Sequence, residues 1–126
     1  MSTRPVSSKE INRQKHELDA QGETLGRLAT KIARLLMGKD KPSNVPYLDQ
    51  GDFVKVVNAS KVVITGRKEE QKRYYIPTQR QGKLRFRTYK QQMQRNPKKI
   101  FEHAVKGMLP KTKLGARMIS RLTVES

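Results

Sequence analysis

Phe53-Val54-Lys55-Val56-Val57 is the stretch whose reading decides the fold. It is apolar apart from Lys55 and rich in β-branched valine, so it reads as a strand. Near-continuous apolar strands of this kind are usually covered on both faces, as in α/β proteins. Upstream, Leu25, Leu28, Ala29, Ile32, Leu35 and Leu36 recur at i, i+3, i+4, i+7 and predict an amphipathic helix over 25–37. Thr24 is placed to cap that helix and Gly38 to end it. Earlier still, His16, Leu18 and Ala20 alternate with Glu17 and Asp19, the pattern of a short first strand, and Gly22 then turns the chain. Downstream, Val62-Val63-Ile64 reads as another strand. Asn58 to Lys61 is too short for a parallel crossover, so these two strands pair antiparallel or lie in different parts of the sheet.

The second half carries different signals. Residues 73–87 predict a hairpin with strands at Tyr74-Tyr75-Ile76 and Lys83 to Arg87, joined by Gln79 to Gly82. Period-two alternation puts Leu84 and Phe86 on one face and Lys83, Arg85 and Arg87 on the other. Thr88 and Gln91 form a capping box opening a helix over 89–95. Asn96 caps the next helix, with Pro97 at its first position, where a missing N–H costs nothing. Ile100, Phe101, Ala104, Val105 and Met108 make its apolar stripe, and Pro110 stops it. A last helix over 113–121 sets Lys113, Arg117 and Arg121 along one side, beside Leu114, Met118 and Leu122. A chain of 126 residues suits one domain. Residues 1–13 are expected to form a flexible N-terminal arm and 14–126 a single domain.

Charge is the strongest clue to function. Apolar residues make up 34% and charged residues 31% of the chain, and 28 Lys and Arg against 11 Asp and Glu leave a net charge of +17. Self-repulsion on that scale points to a polyanionic partner. Residues 1–70 hold 13 basic and 9 acidic residues, whereas residues 71–126 hold 15 basic and only Glu102 and Glu125. Lys72, Arg73, Arg80, Lys83, Arg85, Arg87 and Lys90 fall in a stretch without a carboxylate. Lys106, Lys111, Lys113, Arg117 and Arg121 repeat the pattern farther on. The stripe Arg27, Lys31 and Arg34 alone reads as an ordinary solvated helix face. Taken with the others, it joins a set that phosphates would neutralise with release of counterions. Tyr74, Tyr75 and Tyr89 can stack on unpaired bases, while Phe86 and Phe101 read as core.

Catalysis is not expected. The chain has no cysteine, which excludes disulfides and thiol chemistry. Gly22 and Gly26 precede a helix, but a P-loop needs four residues between its glycines and then Lys-Ser/Thr. Here three intervene and Arg27-Leu28 follows. His16 and His103 have no ligand-spaced partner and read as structural, and the carboxylates are scattered, with Glu69-Glu70 a solvated turn. Hence neither metal nor cofactor is expected. No run approaches the roughly 18 apolar residues of a membrane span. Met1 to His16 lacks the apolar segment of a secretory signal.

Several motifs fall in a recognisable order. They are Leu25-Gly26-Arg27-Leu28-Ala29, Gly51-Asp52-Phe53 with Val56-Val57-Asn58-Ala59, Val62 to Gly66 with Lys68, then Ala104-Val105-Lys106-Gly107-Met108-Leu109-Pro110 and Leu114-Gly115. In these the chain resembles the universal large-subunit ribosomal protein family numbered thirteen, in its bacterial form, from about Leu18 to Val124. The resemblance implies a three-layer α/β/α domain around a small, mostly parallel four-stranded sheet, with the basic hairpin and C-terminal helices attached. It implies a structural constituent of the large ribosomal subunit that binds and organises large-subunit ribosomal RNA during assembly, beside neighbouring ribosomal proteins. The place would be the cytoplasmic ribosome of a bacterium, or an organellar ribosome. By position it adds Arg27, Arg67, Lys68, Lys106, Gly107 and Lys111 to Lys113 as RNA-facing residues. Two departures stand out: His16 and Leu18 replace an aromatic near the first strand, and Ile76 to Gly82 replaces a histidine- and glycine-rich segment. The alternatives are a free-standing RNA-binding regulator or chaperone and, from a different class, a nucleotide-binding α/β enzyme.

Overall fold

The predicted strand at 53–57 is present as β2, Phe53–Val57, and it is the central strand of a parallel sheet in the order β1-β2-β5. The structure is a computed structural model that describes residues 7–126. β1, Lys15–Asp19, pairs with β2 from Lys15↔Phe53 to Asp19↔Val57. β5, Leu122–Val124, pairs on the other side from Val54↔Leu122 to Val56↔Val124. Between β1 and β2 runs α1, Leu25–Met37, as its periodicity requires. Gly38 closes α1 in the left-handed region, its N–H donating to the carbonyls of Arg34 and Leu35. Between β2 and β5 come α2 (Lys68–Gln71), a hairpin of β3 (Arg73–Pro77) and β4 (Leu84–Thr88), then α3 (Tyr89–Arg95), α4 (Pro97–Met108) and α5 (Lys113–Ser120).

The core forms on one face of the sheet. Val54 and Val56 are buried with Leu28, Ala29, Ile32, Ala33 and Leu36 of α1, Ile100, Phe101 and Val105 of α4, and Met118 of α5. Full burial of each large member contributes roughly 1.5–3 kcal/mol. The register fixes which residues turn the other way: Lys15, Glu17, Phe53, Lys55 and Thr123. Phe53 is 43% exposed there, and Lys55 pairs with Glu125 at 3.2 Å. The α/β class therefore stands with a small parallel sheet, but that sheet has three strands rather than four. Its second face carries alternating charges where a further helical layer was expected. Lys55, the one polar residue of β2, was the signal that this strand is wet on one side.

Residues 62–64, expected as a strand, form only an isolated parallel bridge. Val63 N–H donates to Glu23 O at 2.9 Å, and Leu25 N–H donates to Val63 O at 3.1 Å. Thr24 holds the capping position without a side-chain hydrogen bond. The Thr88–Gln91 capping box and the Asn96 cap with Pro97 are present. Of the expected arm, residues 1–6 lie outside the described residues. Ser8–Glu10 forms a 3-10 turn, and Arg13 is anchored to the body by its side chain.

The long segment between α1 and β2 is held by close backbone contact. Asp52 N–H donates to Leu35 O at 3.0 Å. A Cβ at Gly51 would lie 1.6 Å from Leu36 O and 2.5 Å from an Arg121 guanidinium nitrogen, so only glycine fits. Gly51→Ala should therefore cost about 3 kcal/mol or more, because backbone has to move. Gly26→Ala, in a helix where an added Cβ meets nothing, should be neutral or stabilising by up to about 1 kcal/mol. Urea denaturation of the two variants checks this, and similar midpoints would contradict it.

Candidate nucleic-acid interface

The basic residues divide into two populations, and the inner one builds the fold. Asp49-Gln50-Gly51-Asp52 is buried throughout, although three of its four residues are polar. Arg121 is its main partner. One guanidinium nitrogen donates to Asp49 Oδ1 at 2.7 Å and to Leu36 O at 2.8 Å, and the other pairs with Asp49 Oδ2. Arg13 donates to the backbone carbonyls of Gly51 and Asp49. Asp52 receives Lys41 Nζ at 2.9 Å and His16 Nε2 at 2.9 Å, and Gln14 N–H at 3.1 Å. Burial pushes both carboxyls up, but the bonds and charge outweigh it: Arg121 holds Asp49, and Lys41 with His16 holds Asp52, below the ordinary aspartate range. Arg121, expected on the RNA face, is thus an internal ligand of Asp49. Its side chain is 9% exposed. The helical spacing from Lys113 and Arg117 was correct, but α5 ends at Ser120 and the chain turns inward to β5.

The outer population is exposed. On α1, Lys31 pairs with Glu23 at 3.3 Å and Arg34 with Asp40 at 2.8 Å, while Arg27 has no ion pair among the described residues. Arg67 and Lys68, at the start of α2, are exposed, and so are Lys72, Arg73, Arg80, Lys83 and Arg85. Lys106, Gly107, Lys111, Lys113 and Arg117 are exposed on α4, the following turn and α5. None of the cations from Lys72 to Lys90 has a carboxylate partner among the described residues.

Tyr74 gathers part of this set. Its ring meets His103 edge-on at 5.3 Å, and Lys72 Nζ lies 6.0 Å from its centroid. Beside it opens a cleft of about 560 Å³ lined by Arg87, Lys99, Lys106 and His103 among others. Lys68 and Lys72 line a neighbouring cleft on its other side, against Gly26 and Met108. Burial raises the Tyr74 hydroxyl, and burial with Tyr74 and Glu69 nearby pushes Tyr89 up to about 12; Tyr89, expected as a stacking candidate, is buried at 4% exposure. Lys99 was not among the sequence-derived candidates; its place in the first turn of α4 was legible, but its company was not. Arg80 and Lys83 sit apart from the Tyr74 clefts, at the hairpin tip. Among the described residues, no group of three His, Asp or Glu side chains gathers to hold a metal ion.

The hairpin turns opposite to its expected sense. Register places Tyr74, Ile76, Arg85 and Arg87 on one face, and Arg73, Tyr75, Pro77, Leu84, Phe86 and Thr88 on the other. Tyr74, Ile76 and Arg87 are half-buried. Leu84 and Phe86, expected to pack, are 60% and 48% exposed. Their alternation was read correctly, but a two-stranded ribbon has no sheet to tell which face is inward.

Comparison with known proteins decides the lineage. The profile described as Ribosomal protein L13 matches residues 13–124. The chain belongs to this family. "Large ribosomal subunit protein uL13" of Roseiflexus castenholzii is 48% identical over 124 residues, covering 98% of this chain and 85% of that protein. The proteins of the same name from Rubrobacter xylanophilus and Caldanaerobacter subterraneus are 50% and 52% identical, each over 91% of this chain and 80% of the relative. The L13 family is a structural, non-enzymatic one, so the exposed cations need no catalytic role.

A folded-state carboxyl held below its unfolded value contributes stability above the unfolded value and loses it as pH falls through the folded one. The urea midpoint should accordingly stay level near neutrality and drop below about pH 4, and Asp49→Asn should flatten that drop. A wild-type midpoint unchanged down to about pH 2 would contradict the assignment.

Proposed function

We propose that this L13-family chain is a structural constituent of the large ribosomal subunit that holds large-subunit ribosomal RNA, with no reaction of its own. Family membership across residues 13–124 carries the reading. The physical distribution of charge supports it: the cations at Asp49 and Asp52 are paired inside, and outside, apart from pairs such as Lys31–Glu23 and Arg34–Asp40, the exposed cations from Lys72 to Lys90 have no carboxylate partner among the described residues. Exposed Lys and Arg on phosphates position a protein along RNA and supply little sequence preference. The proposed contacts are Arg27, Lys31, Arg34, Arg67, Lys68, Lys72, Arg73, Arg80, Lys83, Arg85, Arg87, Lys106, Lys111, Lys113 and Arg117. Neighbouring ribosomal proteins are the other partners. The bacterial relatives make the cytoplasmic ribosome the natural place.

Gly107 adds a specific argument. It lies exposed in α4, where an added Cβ would meet nothing within the chain. Glycine inside a helix costs up to roughly 0.5–1 kcal/mol relative to alanine, and less in the last turn, where Gly107 precedes the terminal Met108. Nothing internal explains that cost, whereas an RNA backbone lying against the helix, beside Lys106, would.

Sucrose-gradient sedimentation of tagged chain tests the reading. It should travel with large subunits and stay there through a high-salt wash. The purified chain should bind large-subunit RNA with log affinity falling steeply against log salt, since each neutralised phosphate contributes roughly 0.7–0.9. Release from the particle in the wash, with RNA binding intact, would favour a free-standing RNA-binding regulator instead.

A further inference from the structure

We infer that the outward face of the β3–β4 hairpin is a stacking platform for unpaired RNA bases, a proposal that rests on the ribosomal RNA reading above. Three large apolar side chains stand on this face without cover: Tyr75 at 60% exposure, Leu84 at 60% and Phe86 at 48%. They are adjacent by register, Tyr75 opposite Phe86 and Pro77 opposite Leu84. Exposed apolar groups gathered in this way mark an interaction surface. The rings are ordered rather than splayed. Tyr75 and Phe86 meet edge-on at 6.5 Å, and the Arg73 guanidinium lies 4.6 Å from the Phe86 centroid. The far end of the ribbon is fixed too, since Thr78 Oγ donates to Lys83 O at 2.6 Å.

The surroundings choose the occupant. No carboxylate occurs in the sequence from Lys72 to Lys90, and in the cleft that Tyr75 and Pro77 help to line, Glu102 is outnumbered by Arg87, Lys99 and Lys106, so the surroundings of the face are predominantly positive. A partner must offer flat apolar surfaces and dense negative charge at the same place. Single-stranded RNA supplies both, its bases stacking on rings and guanidinium planes while its phosphates meet Lys and Arg. Duplex RNA supplies only the phosphates, because its base faces are already stacked on each other. The platform should therefore engage a loop, bulge or strand end, with Tyr75 and Phe86 as supports and Arg73, on the same face, as a third plane.

The test uses the whole chain and two probes of about ten nucleotides, a dye-labelled oligoadenylate and a blunt RNA duplex, in binding titrations over a range of salt. Tyr75→Ala with Phe86→Ala should weaken oligoadenylate binding by about tenfold or more, as expected for lost base–aromatic stacking. Duplex affinity and both salt slopes should stay at the wild-type value, and Tyr75→Phe with Phe86→Tyr should restore the single-strand affinity. Equal losses on both probes would mean the hairpin had collapsed or acts through charge alone, and would overturn the platform. Unchanged affinity for both would also overturn it and assign the face to a protein neighbour. A wild-type chain that bound neither probe would instead bring down the RNA reading itself.

Discussion

Two buried carboxylates, Asp49 and Asp52, and the cations they collect are what the rest of the structure depends on. The parallel sheet takes β1 from near the start of the chain, β2 from the middle and β5 from the end. Backbone pairing aligns these strands, but a three-stranded sheet packed on one face has little to hold its margins. Asp52 ties down β1 through His16 and the α1–β2 segment through Lys41, and Asp49 ties down the turn into β5 through Arg121. Gly51 lets this turn lie directly on the last carbonyls of α1. A buried charge without a partner would cost several kcal/mol, so these groups have to be placed together or not at all. The cluster acts as a register device: each cation meets its carboxylate only when the three strands are aligned.

That commitment explains the outside as well as the inside. Carboxylates are scarce in this chain, and most lie in its first half. The strongest pairings among them, at Asp49 and Asp52, are consumed by the fold. From Lys72 onward, positive side chains face water almost without counter-charge, at the expense of self-repulsion. A polyanion such as large-subunit RNA would relieve that repulsion. Membership of the L13 family gives this electrostatic asymmetry its reason.

The parts of the fold legible in the sequence were those set by local rules. The α1 stripe from Leu25 to Leu36, the Thr88–Gln91 box and the Asn96-Pro97 start of α4 each depend on neighbours within a turn or two. What was hidden depended on distant partners. Leu122 reads as a neighbour of the last helical stripe, and the strand Leu122–Val124 shows itself only when Val54 and Val56 are seen beside it. Arg121 shares helical spacing with Arg117, yet Asp49 lies 72 residues away. Val62 to Ile64 has strand composition, but only Val63 finds a partner, at Thr24. For the candidate site, the cationic stretches were legible as composition; the inward turn of Arg121 and the outward turn of Leu84 and Phe86 were not.

The central claim is that inner cations build the domain and outer cations hold the RNA, and Arg117 and Arg121, one helical turn apart, allow both halves to be measured at once. Urea stability and the salt slope of ribosomal RNA binding should be recorded for Arg117→Ala and Arg121→Met. Arg117→Ala is expected to leave stability within about 0.5 kcal/mol and to lower the slope by about one. Arg121→Met is expected to cost about 3–5 kcal/mol while the folded fraction binds with the wild-type slope. The opposite assignment, a stable Arg121→Met chain with a reduced slope, would contradict the division.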